Sequence, residues 1–80
     1  QGSSNKPCVV CITWKGSNTI DKPIVLVGKG VCYDSGGICL KPSSILPAMK
    51  WDKAGAGVVA GVMKALALKR SSRHVVGIVG

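Results

Sequence analysis

Two carboxylates and two lysines in the middle of the chain have the side-chain types of a metal or anion site. Asp34 and Asp52 are two of only three acidic residues in the sequence, and carboxylates are common ligands of Zn, Mn and Mg. Lys29 directly follows an apolar run, where a buried amine that has lost its proton could also bind a metal. Lys41, fixed by the proline after it, could direct a positive charge at a developing oxyanion.

The same segment allows a simpler interpretation, a Gly-rich turn with solvated lysines. Two carboxylates alone are too few for an open catalytic metal site, which typically has three protein ligands. Gly36 and Gly37 would let the backbone come close to a bound ligand. The sequence GKG at residues 28–30 is not a phosphate-binding P-loop, because the G-x-x-x-x-G-K-[ST] pattern is absent.

The elements around this segment indicate a βαβ unit. Strand, loop, helix and strand in this order predict a parallel pair of strands within a larger sheet, and such sheets bind ligands at the carboxyl ends of their strands. We therefore expect an α/β fold with a mixed, largely parallel sheet flanked by helices. The predicted elements are strands at Cys8–Trp14, Ile24–Val27 and Val75–Val79, turns at Lys15–Asn18 and Asp21–Pro23, an irregular loop at Gly28–Ser44, a short helical turn from Pro47 through Lys50, and a helix at Ala54–Lys69.

Residue patterns also predict which surfaces are buried. The second strand is apolar at every position, which is expected of a strand that is covered on both faces. In the helix, small residues recur at helical spacing and should allow close approach to the sheet, while bulky residues form the buried stripe. The small residues are Ala54, Gly57, Gly61 and Ala65, and the bulky ones are Val58, Val62, Met63 and Leu66.

Composition favours a segment of a larger globular domain. A hydrophobic fraction of 46% and a mean hydropathy of +0.34 are high for 80 residues. The alternative, a membrane-associated protein, is less favoured because the longest apolar tract, Ala54–Leu68, falls short of the roughly 20 residues that span a bilayer. The sequence does not begin with Met, and its first residues do not have the charged-then-apolar pattern of a signal peptide.

The formal charge of +8 keeps a nucleic-acid partner open as an alternative. Most of the lysines are scattered, and only Lys69, Arg70 and Arg73 cluster. Aromatic residues for base stacking are few. A nucleic-acid surface is therefore the less favoured interpretation.

Four cysteines are present, and we expect them to be free, buried thiols in a reducing compartment. Cys8 and Cys11 form a C-x-x-C sequence, but two valines lie between them, as in a strand. Residues three apart on a strand point to opposite faces, so this pair would not readily share a metal.

Several spaced motifs resemble the signature region of the cytosolic leucyl aminopeptidases, a family of two-metal exopeptidases. The sequence VGKGVCYDSGGICLKP is followed by MKWDKAGAG, and the resemblance extends from QGSSN before the first strand to the closing VVGIVG. The resemblance implies a metal-dependent aminopeptidase that is cytoplasmic, uses two Zn or Mn ions, acts on peptides with a free N-terminus, and forms a homo-hexamer.

The resemblance also implies roles for individual residues. Lys29 and Asp52 correspond to ligands of one metal, and Asp34 to a ligand of both metals. Lys41 corresponds to the catalytic lysine that polarises the substrate or stabilises the tetrahedral intermediate. Met49 would line the pocket for the side chain of the substrate's N-terminal residue.

This sequence departs from the family pattern in two respects. Cys32 and Cys39 stand where the family usually has Thr or Ser, and both are small enough to keep the backbone geometry. The family's N-terminal domain is absent, as is a second ligand segment, N-T-D-A-E-G-R, that carries an Asp, a Glu and a catalytic Arg. Residues 1–80 would then be the N-terminal part of a catalytic domain, inactive and poorly folded when isolated.

Overall fold

A computed structural model describes residues 2–17, 20 and 22–80 of the chain. Its elements match the predicted order, and the loop between residues 29 and 45 contains neither strand nor helix. Asn18 and Asp21, in the predicted turns, and Gln1 and Thr19 lie outside the described residues. The elements are β1 (Val10–Trp14), β2 (Ile24–Gly28), a 3₁₀ helix (Leu46–Trp51), α1 (Ala54–Leu68) and β3 (Val75–Val79).

The three described strands form one mixed sheet in the order β1-β3-β2. β3 is central; it pairs parallel with β2 and antiparallel with β1. α1 connects the two parallel strands and packs on one face of the sheet. The predicted α/β fold and its βαβ unit are therefore confirmed, and β1 makes the sheet mixed.

The core lies between α1 and the sheet. Val59 and Met63 of α1 and Val75 of β3 are its buried side chains, and Trp14, Leu26, Leu66 and Val79 pack against them. The predicted helix stripe was thus partly wrong, because Val58 is 66% exposed and the positions of Gly57 and Gly61 face open space. The buried face instead follows residues 59, 63 and 66, which lie at i, i+4 and i+7 on the helix surface.

Glycine in β3 lets this helix face come close to the sheet. A Cβ atom at Gly77 would lie 2.8 Å from a methyl of Val59 and 3.0 Å from Cγ of Met63. Real Cβ atoms do not approach other atoms that closely, so a larger residue would push α1 away from the sheet. The small residue that the contact requires is on the strand rather than on the helix.

α1 ends in a Schellman motif that joins it to the sheet. Ser71 N donates to Leu66 O at 3.0 Å, and Arg70 N donates to Ala67 O at 3.1 Å. Arg70 has the left-handed φ of 47° that this motif requires. The carbonyl of Ser71 then accepts a hydrogen bond from the indole of Trp14 at 2.9 Å. The helix end is thereby tied to the end of β1.

The other face of the sheet is uncovered in this chain. Val25 and Val27 alternate with the residues of β2 that face α1, and Val27 is 76% exposed. The prediction that β2 is covered on both faces was therefore wrong for the chain by itself. On the helix side, an open apolar groove of about 490 Å³ lies between β1 and the first half of α1; its lining includes Val10, Ile12, Ala56, Ala60 and Val79.

No helix in the part of the chain that the structure describes is long and apolar enough to span a lipid bilayer.

We predict that the isolated 80-residue chain does not unfold cooperatively. Three buried hydrophobic side chains are a small core, and the radius of gyration of 16.1 Å exceeds the roughly 12 Å of a compact chain of this length. Thermal unfolding followed by near-UV circular dichroism should show no sigmoidal transition. A single sharp transition at a concentration-independent temperature would contradict the prediction.

Candidate active site

The end of β2 holds the backbone of Lys29 between α1 and β3. Lys29 O accepts a hydrogen bond from Ala56 N at 2.9 Å, and Gly30 N donates to Gly80 O at 2.7 Å. The N-terminal amides of a helix have no partners within the helix, so a strand-end carbonyl can satisfy one of them. The first turn of α1 therefore begins directly beside the first candidate metal ligand.

Two glycines make this arrangement possible. A Cβ atom at Gly28 would lie 2.5 Å from Gly55 O and 2.8 Å from a methyl of Val59. A Cβ at Gly55 would lie 3.0 Å from Lys29 N. The last residue of β2 and the second residue of α1 thus touch backbone to backbone.

The 3₁₀ helix places Asp52 beside Lys29, at the carboxyl end of β2. Asp52 caps this helix through a hydrogen bond from its N–H to Met49 O at 2.9 Å, and it stands two residues before α1. Its Oδ2 lies 3.5 Å from Lys29 Nζ. Two predicted ligands that are 23 positions apart in the sequence therefore meet at the carboxyl end of β2.

The Lys29–Asp52 pair faces solvent. The side chains are 60% and 42% exposed, so the Lys29 amine is not the buried amine that the sequence analysis considered. The backbone of Lys29 contacts the first turn of α1, whereas its side chain is exposed. As an exposed ion pair in water, it would add little to stability.

The spacing of the pair fits one divalent ion. Ligand bonds of about 2.1 Å in a tetrahedral arrangement put two ligand atoms about 3.4 Å apart, close to the observed 3.5 Å between Lys29 Nζ and Asp52 Oδ2. Carboxylate oxygen and amine nitrogen are donor atoms that Zn and Mn can bind. Among the described residues, no three His, Cys, Asp or Glu side chains converge on one point. As ligands of a catalytic metal, these two residues alone would be too few.

Asp34 lies in an exposed loop with a specific backbone shape. Gly36 and Gly37 have φ values of 88° and 71°, which residues with a side chain rarely adopt. Gly2 of the N-terminal segment packs against the backbone of Ser35, leaving no room there for a larger residue. That Asp34 joins Lys29 and Asp52 on a metal stays a prediction.

Lys41 meets Met49 rather than a carboxylate. Lys41 Nζ donates to Met49 Sδ at 3.4 Å. A turn in which Ile45 N donates to Pro42 O at 2.9 Å reverses the chain after Lys41 and leads into the 3₁₀ helix. The structure therefore pairs the candidate catalytic lysine with the candidate substrate-pocket residue.

The cysteines are free, as expected, but all four are exposed rather than buried. Cys32 Sγ lies 3.8 Å from Gly30 O, and Cys39 Sγ lies 3.7 Å from Lys41 O. A thiol is a weak S–H donor, and in both contacts it lies where the hydroxyl of a Ser or Thr could donate. Both thiols thus turn toward the backbone of the loop that carries the candidate site.

Sequence reasoning missed the role of Gly55. The helix pattern directed attention to Gly57 and Gly61, which face open space. The signal that could have identified Gly55 is its position in the first turn of the helix. A glycine there, together with the glycine that ends β2, allows the two backbones to come into contact.

Comparison with known proteins agrees with these observations. All of residues 1–80 match the family model described as "Cytosol aminopeptidase family, catalytic domain". The chain is 48% identical over 80 residues to a probable cytosol aminopeptidase of Sinorhizobium fredii and to one of Phytoplasma australiense. It is 47% identical over 79 residues to one of Wolbachia pipientis. Each alignment covers 99% or more of this chain, and the chain spans about 16% of the length of each relative.

We predict that Gly28→Ala destabilises the full-length protein that contains this chain, whereas the matched variant Gly61→Ala does not. The new methyl at position 28 would collide with Gly55 O, and overpacking of this kind costs about 1–3 kcal/mol. At position 61 the methyl meets nothing, and replacing a helical glycine by alanine gains up to about 1 kcal/mol. Denaturant unfolding measures both, and equal midpoints for the two variants would contradict the contact.

Proposed function

Because the chain belongs to the cytosol aminopeptidase family, we propose that it is part of the catalytic domain of a metal-dependent aminopeptidase that releases N-terminal residues from peptides. The parent enzyme is our term for that longer polypeptide. The observation that supports the proposal most directly is the 3.5 Å approach of Lys29 Nζ to Asp52 Oδ2 at the carboxyl end of β2. A family match over residues 1–80 supports the same conclusion.

In this proposal each of the five residues has its own role. Lys29 and Asp52 would hold one divalent ion, Zn or Mn, and Asp34 would be a ligand of that ion and of a second one. When bound, the two ions would supply an activated water and polarise the scissile carbonyl. Lys41 donates a hydrogen bond to the carbonyl oxygen as negative charge develops there. Met49 contacts the side chain of the first substrate residue.

Exopeptidase specificity follows from the ligand set. A free α-amino group is a good nitrogen ligand, and only the first residue of a peptide has one. The side chains of Lys29 and Asp52 are exposed to solvent, so the N-terminus of a peptide can reach them.

The complete enzyme requires residues beyond this chain. Lys29, Asp34 and Asp52 are too few ligands for two ions, and the apolar outer face of the sheet needs a cover. We therefore propose that residues 1–80 form the N-terminal part of the catalytic domain, that the parent enzyme supplies the remaining ligands, and that it is cytosolic and hexameric.

A nucleic-acid-binding module was the alternative in the sequence analysis. The family match accounts for the order of the motifs, which scattered lysines do not explain. The three clustered cations lie at the far end of α1, away from the Lys29–Asp52 pair. The aminopeptidase is therefore the better-supported function.

The parent enzyme should hydrolyse leucine p-nitroanilide and lose this activity with a chelator, whereas the isolated 80-residue chain should be inactive with added Zn²⁺ or Mn²⁺. The isolated chain lacks ligands for a second ion. Absorbance of released p-nitroaniline measures both. Metal-restored hydrolysis by the 80-residue chain would contradict the partial site, and activity in the parent that survives metal removal would contradict the metal mechanism.

Two lysine variants of the parent enzyme should fail in different ways. Lys29→Ala should weaken metal affinity about 100-fold or more, because loss of a ligand should cost at least as much as loss of its supporting contacts. Lys41→Ala should keep the metal and lower kcat about 10²- to 10³-fold, as expected for removal of an oxyanion donor.

The matched control for both variants is Lys64→Ala, which removes an exposed lysine in the middle of α1. Calorimetric titration with Mn²⁺ and steady-state kinetics distinguish the two roles. Normal metal affinity in Lys29→Ala would remove Lys29 from the ligand set, and metal loss in Lys41→Ala would remove the assignment of Lys41.

A further inference from the structure

The roles proposed for Lys41 and Met49 do not involve the contact between their two side chains. Lys41 Nζ donates to Met49 Sδ at 3.4 Å, between residues eight positions apart. Within the part of the chain that the structure describes, the side-chain partner of Lys41 is the thioether of Met49, which carries no charge. Lys29, by contrast, faces a carboxylate.

We propose that Met49 is a positioning residue whose sulfur orients the ammonium group of Lys41 toward the reacting carbonyl. The inference rests on the proposed aminopeptidase function and assigns Met49 a second role besides contact with the substrate side chain. Lys41 is exposed and has four rotatable side-chain bonds. Without an anchor, its amine would sample many positions and would only occasionally point at the substrate.

A sulfur acceptor suits this task better than a carboxylate. Thioether sulfur is polarisable and accepts hydrogen bonds weakly, whereas a hydrogen bond between two charged groups is roughly twice as strong as a neutral one and compensates both charges. Met49 therefore limits the positions of the Lys41 ammonium and leaves its positive charge available for the developing oxyanion.

The same short helix fixes Met49 relative to the metal-holding pair. Met49 O accepts the hydrogen bond from Asp52 N at 2.9 Å, and Asp52 contacts Lys29 at 3.5 Å. Pro42 O and Ile45 O accept the hydrogen bonds that lead the chain from Lys41 into this helix. The partners of the Lys41 ammonium and of Lys29 therefore lie on one short hydrogen-bonded segment.

The test is Met49→Leu in the metal-loaded parent enzyme, assayed with leucine and glycine p-nitroanilides. Leucine keeps the volume and removes the sulfur. Positioning predicts that kcat falls about three- to tenfold for both substrates by the same factor, since misplacement of a reacting group lowers the rate whatever the substrate side chain is. A loss confined to the leucine substrate would overturn the proposal, because glycine has no side chain for Met49 to contact.

Two controls isolate the effect. Met63→Leu makes the same chemical change at a buried core position and should leave kcat unchanged for both substrates. In a Lys41→Ala background, Met49→Leu should lower kcat no further, because the group that it orients is gone. An undiminished three- to tenfold loss in that background would show that Met49 acts independently of Lys41 and would overturn the proposal.

A measurement without catalysis separates this inference from the proposed function. The measurement is the ¹³C NMR signal of the Met49 methyl group in the metal-free parent enzyme. This signal is assigned as the one that disappears in the Met49→Leu variant. It should shift in Lys41→Ala and stay in place in Lys64→Ala. An unchanged signal in Lys41→Ala would overturn the contact, whereas absence of any aminopeptidase activity in the wild-type enzyme would overturn the proposed function instead.

Discussion

The backbone contact between Gly28 at the end of β2 and Gly55 in the first turn of α1 is the constraint on which the site depends. It lets Ala56 N bond to Lys29 O at 2.9 Å, so the helix begins directly over the strand end. Lys29 follows the strand, and Asp52 precedes the helix. Their side chains therefore meet because two small residues allow two backbones to touch. A methyl group at Gly28 would force these two elements apart, and one at Gly55 would press on the backbone of Lys29.

Two lysines of the loop have different partners, and the difference fits their proposed tasks. Lys29 faces a carboxylate at 3.5 Å, a spacing at which one divalent ion can replace the direct contact. Lys41 faces a thioether at 3.4 Å, which restricts the amine and leaves its charge uncompensated. Asp52 and Met49 belong to one short segment that is closed by its own hydrogen bonds. The 3₁₀ helix and its C-cap thus carry the side-chain partners of both lysines.

The chain buries one face of its sheet and exposes the other. α1 covers β2 and β3 on one side, while Val25 and Val27 point outward on the other. An exposed apolar face of this kind would favour association of the isolated unit, and in a longer polypeptide it offers a surface for further elements. The relatives, of which this chain spans about 16%, are long enough to supply them.

The sequence by itself determined the elements and their order, because apolar runs, Gly and Pro positions and helical periodicity are local properties. Cys8–Trp14, Ile24–Val27, Ala54–Lys69 and Val75–Val79 were each predicted within about two residues of the observed bounds, and the motif spacing identified the family. Only the tertiary structure decided which face of α1 is buried, since Val58 and Val59 are equally apolar and the choice depends on where the glycines of β2 and β3 make room. It also decided that Lys29 reaches Asp52 and that Lys41 reaches Met49, because such distances depend on how the loop closes on itself. That Asp34 joins Lys29 and Asp52 on a metal stays a prediction.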